Sequence, residues 1–173
     1  MTDKQQNILN IALDLFANEG FAATSTSKIA KAAGVSEALI FRHFQNKKGL
    51  LEAIIKEAEL KSFTLFEPIF LEEDPSLVIR KALELPFSIP CSEYDFWKLQ
   101  FKLKWQKEYD HPQKMEPLLE KLSSAFNALN CDDPTKEAIL LNQIVFAIST
   151  EILKGNLDNQ KEYKEFLLHR YQV

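Results

Sequence analysis

Ala30-Lys31-Ala32-Ala33-Gly34-Val35-Ser36 decides how this chain is read. Alanines let two helix backbones approach closely where they cross. Gly34 enters the left-handed backbone of a sharp turn without steric penalty. Val35 offers an apolar plug, and Ser36 is a good cap for a following helix. Two short helices crossing at a wide angle through such a turn form a helix-turn-helix. A generic helical hairpin meets the same pattern, so the flanking residues have to discriminate.

Upstream, Ile8, Ile11 or Ala12, Leu15 and Phe16 recur at threes and fours, and Gly20 follows as a stop. This predicts a first helix. A second spans about Thr26 to Ala33, capped by Ser25 or Thr24, with Ile29, Ala30 and Ala33 on its inner face. A third runs from Glu37 to Phe44. Ile40 and Phe44 share its inner face at i, i+4, leaving Glu37, Ala38, Phe41, Arg42 and His43 outward. A fourth starts near Asn46 or Lys47, carries Leu50, Leu51, Ile54, Ile55 and Ala58, and reaches as far as Phe66.

All seven prolines lie beyond residue 67. Asp74-Pro75 reads as N-cap followed by a first-turn proline, opening a helix to about Leu85 that Pro86 and Pro90 end. Ser92-x-x-Asp95 resembles a capping box and opens an aromatic helix to about Tyr109. Pro112 opens a helix to about Leu129, with Asn130 as a left-handed terminator. Asp133-Pro134 starts the most apolar helix, ended by Gly155, and a last helix covers about Asn159 to Tyr171. No strand alternation or hairpin signal appears. The expected fold is all-α.

The chain has 173 residues, 46% hydrophobic and 27% charged, which suits a globular protein rather than a disordered one. No apolar run approaches a membrane span, and the first residues lack a signal-peptide pattern. The expected compartment is the cytoplasm, with no membrane contact. Cys91 and Cys131 form no CxxC and read as reduced thiols. His43, His111 and His169 offer no ligand spacing, so neither a metal nor a cofactor is expected. No phosphate-binding glycine loop or nucleophile elbow is present, and Glu72-Glu73-Asp74 reads as a solvated capping turn, so no catalytic residues are assigned. The net charge is −4, yet Lys4, Lys28, Lys31, Arg42, Lys47 and Lys48 outnumber the acids of the first fifty residues. A mildly basic head on an acidic body fits local contact with phosphates.

One run extends the motif: Ile8-Leu9-x-x-Ala12-x-x-Leu15-Phe16-x-x-x-Gly20-Phe21-x-x-Thr24-Ser25, then Ile29-Ala30-x-x-Ala33-Gly34-Val35-Ser36, then Phe41-x-x-Phe44-x-x-Lys47-x-x-Leu50-Leu51. Over residues 5–55 this resembles the tetracycline-repressor (TetR) family of bacterial regulators. The resemblance implies a helix-turn-helix DNA-binding domain at 1–48 and a helical effector-binding and dimerisation domain at 49–173. It implies a homodimer on a palindromic double-stranded operator, and a repressor released by a small apolar ligand. A helical interaction module that keeps the fold without DNA is the alternative. Four departures stand out: Phe41 where the family usually has a phosphate-binding Tyr, Lys28 where it often has an acid, Leu39 at a position more often small or polar, and Gln5 where an Arg is common.

The recognition helix is expected in the major groove. Arg42 either forks onto a guanine or grips a phosphate, and Ala38 suits a thymine methyl. Glu37 either accepts from a cytosine amine or compensates the helix dipole. Ser25, Ser27, Lys28, Ser36 and Phe41 complete the expected DNA face. The resemblance implies backbone contacts for His43 and a phosphate grip for Lys47.

In the body, Trp97, Phe101 and Trp105 share one face of the aromatic helix, which reads either as core or as the wall of a ligand pocket. Phe63, Phe66, Phe87, Met115 and Phe126 are candidates for the other walls. Leu141, Val145, Ile148 and Ile152 form a stripe along helix 134–154. With Phe166 they are expected at the dimer interface that the resemblance implies.

Overall fold

An α-helix leaves its first N–H groups and last C=O groups without partners inside the helix, so its ends fall where other groups satisfy them. The computed structural model describes residues 1–104 and 112–173. Among these the order is α1 (Asp3–Asn18), α2 (Thr26–Ala33), α3 (Glu37–Phe44), α4 (Lys47–Phe70), α5 (Pro75–Ser88), α6 (Tyr94–Leu103), α7 (Glu116–Ala128), α8 (Pro134–Lys154) and α9 (Gln160–Tyr171). Short 3-10 turns occupy Cys91–Glu93 and Pro112–Met115. No strand occurs among the described residues.

Both Asp-Pro signals act as expected. Asp74 Oδ1 accepts from the backbone N–H of Ser76 at 2.8 Å and Leu77 at 3.1 Å. Asp133 Oδ1 accepts from Lys136 N–H at 3.1 Å. Gly34 and Gly155 close α2 and α8 in the left-handed region, at φ 68° and 75°. Asn130 terminates its segment at φ 57°.

Three starts and stops differ from expectation. Ser92 and Asp95 form no capping box: α6 begins at Tyr94 after a 3-10 turn, and its N-cap Glu93 makes no side-chain cap bond. Asp95 instead receives Lys98 Nζ at 3.3 Å and Asn18 Nδ2 at 3.5 Å. The helix expected to reach Tyr109 is described only to Leu103, and the rest, with Trp105, lies outside the described residues. Pro86 does not end α5, which runs on to Ser88. A proline in the last turn removes one ladder bond near an end that frays anyway, and here its ring is buried. Pro112 opens a 3-10 turn, and α7 proper starts at Glu116 with Pro117 in its first turn.

The chain forms two compact units. The first comprises Met1–Ser62 and the described part of Ser92–Gln106. Its core includes Ile8, Phe16, Ile29, Ile40, Leu50 and Leu51, all fully buried. In it α6 packs on α1, where Lys102 Nζ donates to the Ala17 carbonyl. The second comprises Phe63–Cys91 and the described residues after it, with α5, α7, α8 and α9 around Val78, Ile79, Leu83, Leu122 and Leu141. This division departs from a boundary at 48/49. Leu50, Leu51 and Ile54 of α4 are buried and belong with the first unit.

Candidate nucleic-acid interface

The candidate recognition element is α3, held from below. Ile40 is fully buried and Phe44 nearly so, while Ala38, Phe41, Arg42 and His43 are exposed. One face therefore anchors α3 and the opposite face is available. Phe41 keeps 46% of its surface exposed, which is unusual for a large apolar ring.

A side-chain hydrogen bond ties α2 to α3. Thr26 Oγ1 donates to Glu37 Oε1 at 2.5 Å. Glu37 is half-buried in the first turn of α3, where its charge also complements the helix dipole. Ser25 caps α2, its Oγ accepting from Lys28 N–H at 3.1 Å. The Lys28 ammonium pairs with Glu19, so its charge is compensated within the chain. Ser36 is the N-cap of α3 but its side chain makes no capping bond. Ser27 is exposed in the first turn of α2.

Lys47 is placed differently from the expectation. Its Nζ donates to the carbonyl oxygens of Phe21 at 2.8 Å, Thr24 at 2.9 Å and Ala22 at 3.4 Å, and lies 4.5 Å above the Phe21 ring. An ammonium has three N–H donors, and three carbonyls meet it. The side chain fastens the start of α4 to the α1–α2 loop. The Phe21 ring is itself fixed edge-on against Phe16, with centroids 5.1 Å apart.

The corner from α3 to α4 is tight. Asn46 N–H donates to the Phe44 carbonyl at 2.7 Å, with Gln45 between them at φ 66°, ψ −47°. That is a γ-turn of the rarer, strained hand. Asn46 Oδ1 then accepts from Gly49 N–H at 2.9 Å. A Cβ on Gly49 would lie 2.0 Å from the Phe44 carbonyl oxygen, so only glycine fits.

Of two residues that bear on this face, the sequence singles out Gln5 only as a departure from an Arg and does not single out Thr2. Thr2 and Gln5 form a capping box at the start of α1, and the Gln5 amide also reaches His43 Nδ1 at 3.1 Å. The signal was present as Thr2-x-x-Gln5, the capping-box pattern itself.

The expected ligand-lining residues are divided between the two units. Trp97 and Phe101 belong to the first unit, and Phe63, Phe66, Phe87, Met115 and Phe126 to the second. Trp97 and Phe126 are buried, whereas Phe63 is 68% exposed. An open depression of about 490 Å³ on α7 and α8, lined by Leu119, Ser123, Thr135 and Ile139 among others, contains none of them.

The expected dimer stripe lies mostly inward in this chain. Leu141, Ile148 and Ile152 are buried in this chain's own core, because α8 packs on α5 and α7. Val145 is half-buried, while Phe166 of α9 is 58% exposed. A second apolar stripe on α8, Leu140, Ile144 and Ala147, is displaced from the first, and Leu140 is 47% exposed.

Comparison with known proteins bears on the first unit most directly. A family model described as bacterial regulatory proteins, tetR family, matches residues 8–54. The HTH-type transcriptional regulator YvkB of Bacillus subtilis (strain 168) is 46% identical over 57 residues, 33% of this chain and 30% of that one. The matched stretch thus spans about a third of that relative's length. Among solved structures, a TetR-like transcriptional regulator from Rhodococcus sp. RHA1 aligns with a TM-score of 0.83 at 21% identity, covering 97% of this chain and 92% of that one. AibR, solved in complex with isovaleryl coenzyme A and operator DNA, aligns at 0.65 with 20% identity and 86% coverage of both chains. At such identities the structural likeness concerns the fold.

Proposed function

Through residues 8–54 this chain belongs to the tetR family of bacterial regulatory proteins, and from that premise we propose that it is a transcriptional regulator binding a palindromic double-stranded operator as a homodimer. The observation that carries the reading is the two-sided α3. Ile40 and Phe44 hold it down, and Ala38, Phe41, Arg42 and His43 stand outward on a basic helix end. A helix so presented is a major-groove reader, and its exposed side chains suit base edges and phosphates. Arg42 is the base-reading candidate, Ala38 meets a thymine methyl, and His43 meets a phosphate. Ser27 and Ser36 add hydroxyls at the starts of α2 and α3. Phe41, lacking a hydroxyl, contributes apolar contact with sugar or methyl groups. Lys47 acts from within, holding the α1–α2 loop rather than a phosphate.

Repression relieved by a small apolar ligand is the accompanying proposal: the aromatic content of residues 60–130 supports an apolar ligand, and AibR, solved with both isovaleryl coenzyme A and operator DNA, supports only that a chain of this fold binds a ligand as well as DNA. Such a ligand shifts DNA binding only if it prefers one conformation of the protein. Buried Trp97 supplies the fluorescence signal.

Selection of bound fragments from a bacterial genomic library tests the DNA reading. A recovered inverted repeat supports it. The absence of any enriched fragment removes it in favour of a helical interaction module.

A further inference from the structure

The start of α1 holds three polar groups in a fixed donor–acceptor order. Thr2 N–H donates to Gln5 Oε1 at 2.8 Å, and Gln5 N–H donates to Thr2 Oγ1 at 3.3 Å. The Gln5 amide therefore presents its oxygen to Thr2. Rotating it by a half-turn would bring NH₂ against the Thr2 N–H, donor against donor. Its Nε2 is left facing His43 Nδ1 at 3.1 Å. An amide nitrogen only donates, so Nδ1 must accept with its lone pair. In a neutral imidazole the proton then sits on Nε2. His43 is exposed on the outward side of α3, and its Nε2 has no protein partner among the described residues.

We propose that Gln5 is a positioning residue for DNA binding: the α1 capping box orients its amide, and that amide fixes His43 as the Nε2–H tautomer, a neutral donor aimed at a backbone phosphate. The helix cap thereby sets which His43 nitrogen faces the nucleic acid. The phosphate half of the proposal rests on the DNA-binding reading above. The tautomer half does not.

The test has two arms. In the first, long-range proton–nitrogen spectra of the ¹⁵N-labelled full chain are recorded in mildly alkaline buffer, where imidazole is neutral. His43 should appear as a single Nε2–H tautomer, with a coupling across the hydrogen bond to Gln5 Nε2. Gln5→Glu keeps the cap, because a carboxylate also accepts from Thr2 N–H, but it offers Nδ1 an acceptor, so the proton should move to Nδ1. A mixture of tautomers in the wild type, or no change in Gln5→Glu, overturns the proposal. In the second arm, Gln5→Ala should weaken operator binding about 3- to 10-fold, the value of one modest hydrogen bond. In a His43→Ala background the same change should weaken it about twofold or less. Equal losses in both backgrounds make Gln5 independent of His43 and overturn the positioning role. A chain that enriches no DNA fragment fails the functional reading while the spectra still decide the tautomer. DNA binding with mixed tautomers fails this proposal alone.

Discussion

Arg42 and Lys47 are both cations of the first unit, and their surroundings differ. Arg42 is exposed in the last turn of α3, whereas the Lys47 ammonium is met by three carbonyls and a ring. A phosphate contact displaces condensed counterions, and losing one flattens the salt dependence by about 0.9. Lys47→Ala should therefore weaken operator binding while leaving that slope unchanged, because the lost contact is internal. Arg42→Ala should cost about 1–3 kcal/mol on the operator and much less on random duplex, if its fork reads a guanine. Titrations of both variants on both duplexes at several salt concentrations check this. Equal losses on both duplexes would reassign Arg42 to the backbone. Sequence alone placed Lys47 at the corner of the motif but did not show the three carbonyls that meet it. Spacing locates a residue on a helix but does not say which carbonyls a folded loop brings to it.

At the scale of elements, caps and turns were legible because their chemistry is local. Asp74-Pro75, Asp133-Pro134, Gly34 and Gly155 each act within a few residues of themselves. The failed box at Ser92 and Asp95 shows the limit, since Asp95 is engaged by Asn18, distant in sequence. The γ-turn at Gln45 has no residue signature, because glutamine rarely takes φ 66°. Gln45→Gly should stabilise the protein by about 1 kcal/mol, strain relief exceeding the added chain entropy. Gly49→Ala should destabilise it by about 3 kcal/mol through contact with the Phe44 carbonyl. Thermal or urea unfolding measures both. The α4–α5 turn adds a pH dependence. Glu72 accepts from Lys81 Nζ at 2.6 Å and from the N–H groups of Asp74 and Glu73, and these bonds hold its carboxyl below the ordinary value of 4.5. Folding is thus favoured by the ionised form above that value, and the contribution disappears as pH falls through the lowered one. The difference in melting temperature between wild type and Glu72→Gln should shrink over that acid range. A constant difference would mean that Glu72 acts through shape alone.

For the whole molecule, helical periodicity predicted the all-α fold but not which apolar stripe faces its own core. Leu141, Val145 and Ile148 repeat at the same spacing as Leu140, Ile144 and Ala147, and periodicity cannot rank two stripes on one helix. Burial ranks them. Leu141→Ala should destabilise the folded chain by about 2–5 kcal/mol, as for a fully buried leucine. Leu140→Asp with Phe166→Asp, both at exposed positions, should leave the chain folded and convert a dimer to monomers. Light scattering at micromolar concentration, with circular dichroism as the folding control, distinguishes the two effects. A wild-type mass of one chain removes the dimer from the proposal.

The α3–α4 corner also acts as a ruler. One carbonyl, on Phe44, receives the Asn46 amide and sits against the bare Cα of Gly49. Inserting or deleting one residue between them would turn α4 by about 100° and shift it by about 1.5 Å along its axis. Leu50, Leu51 and Ile54 would then leave the buried face. In a library of single-residue insertions and deletions selected for DNA binding, positions 45–49 should admit no change of length.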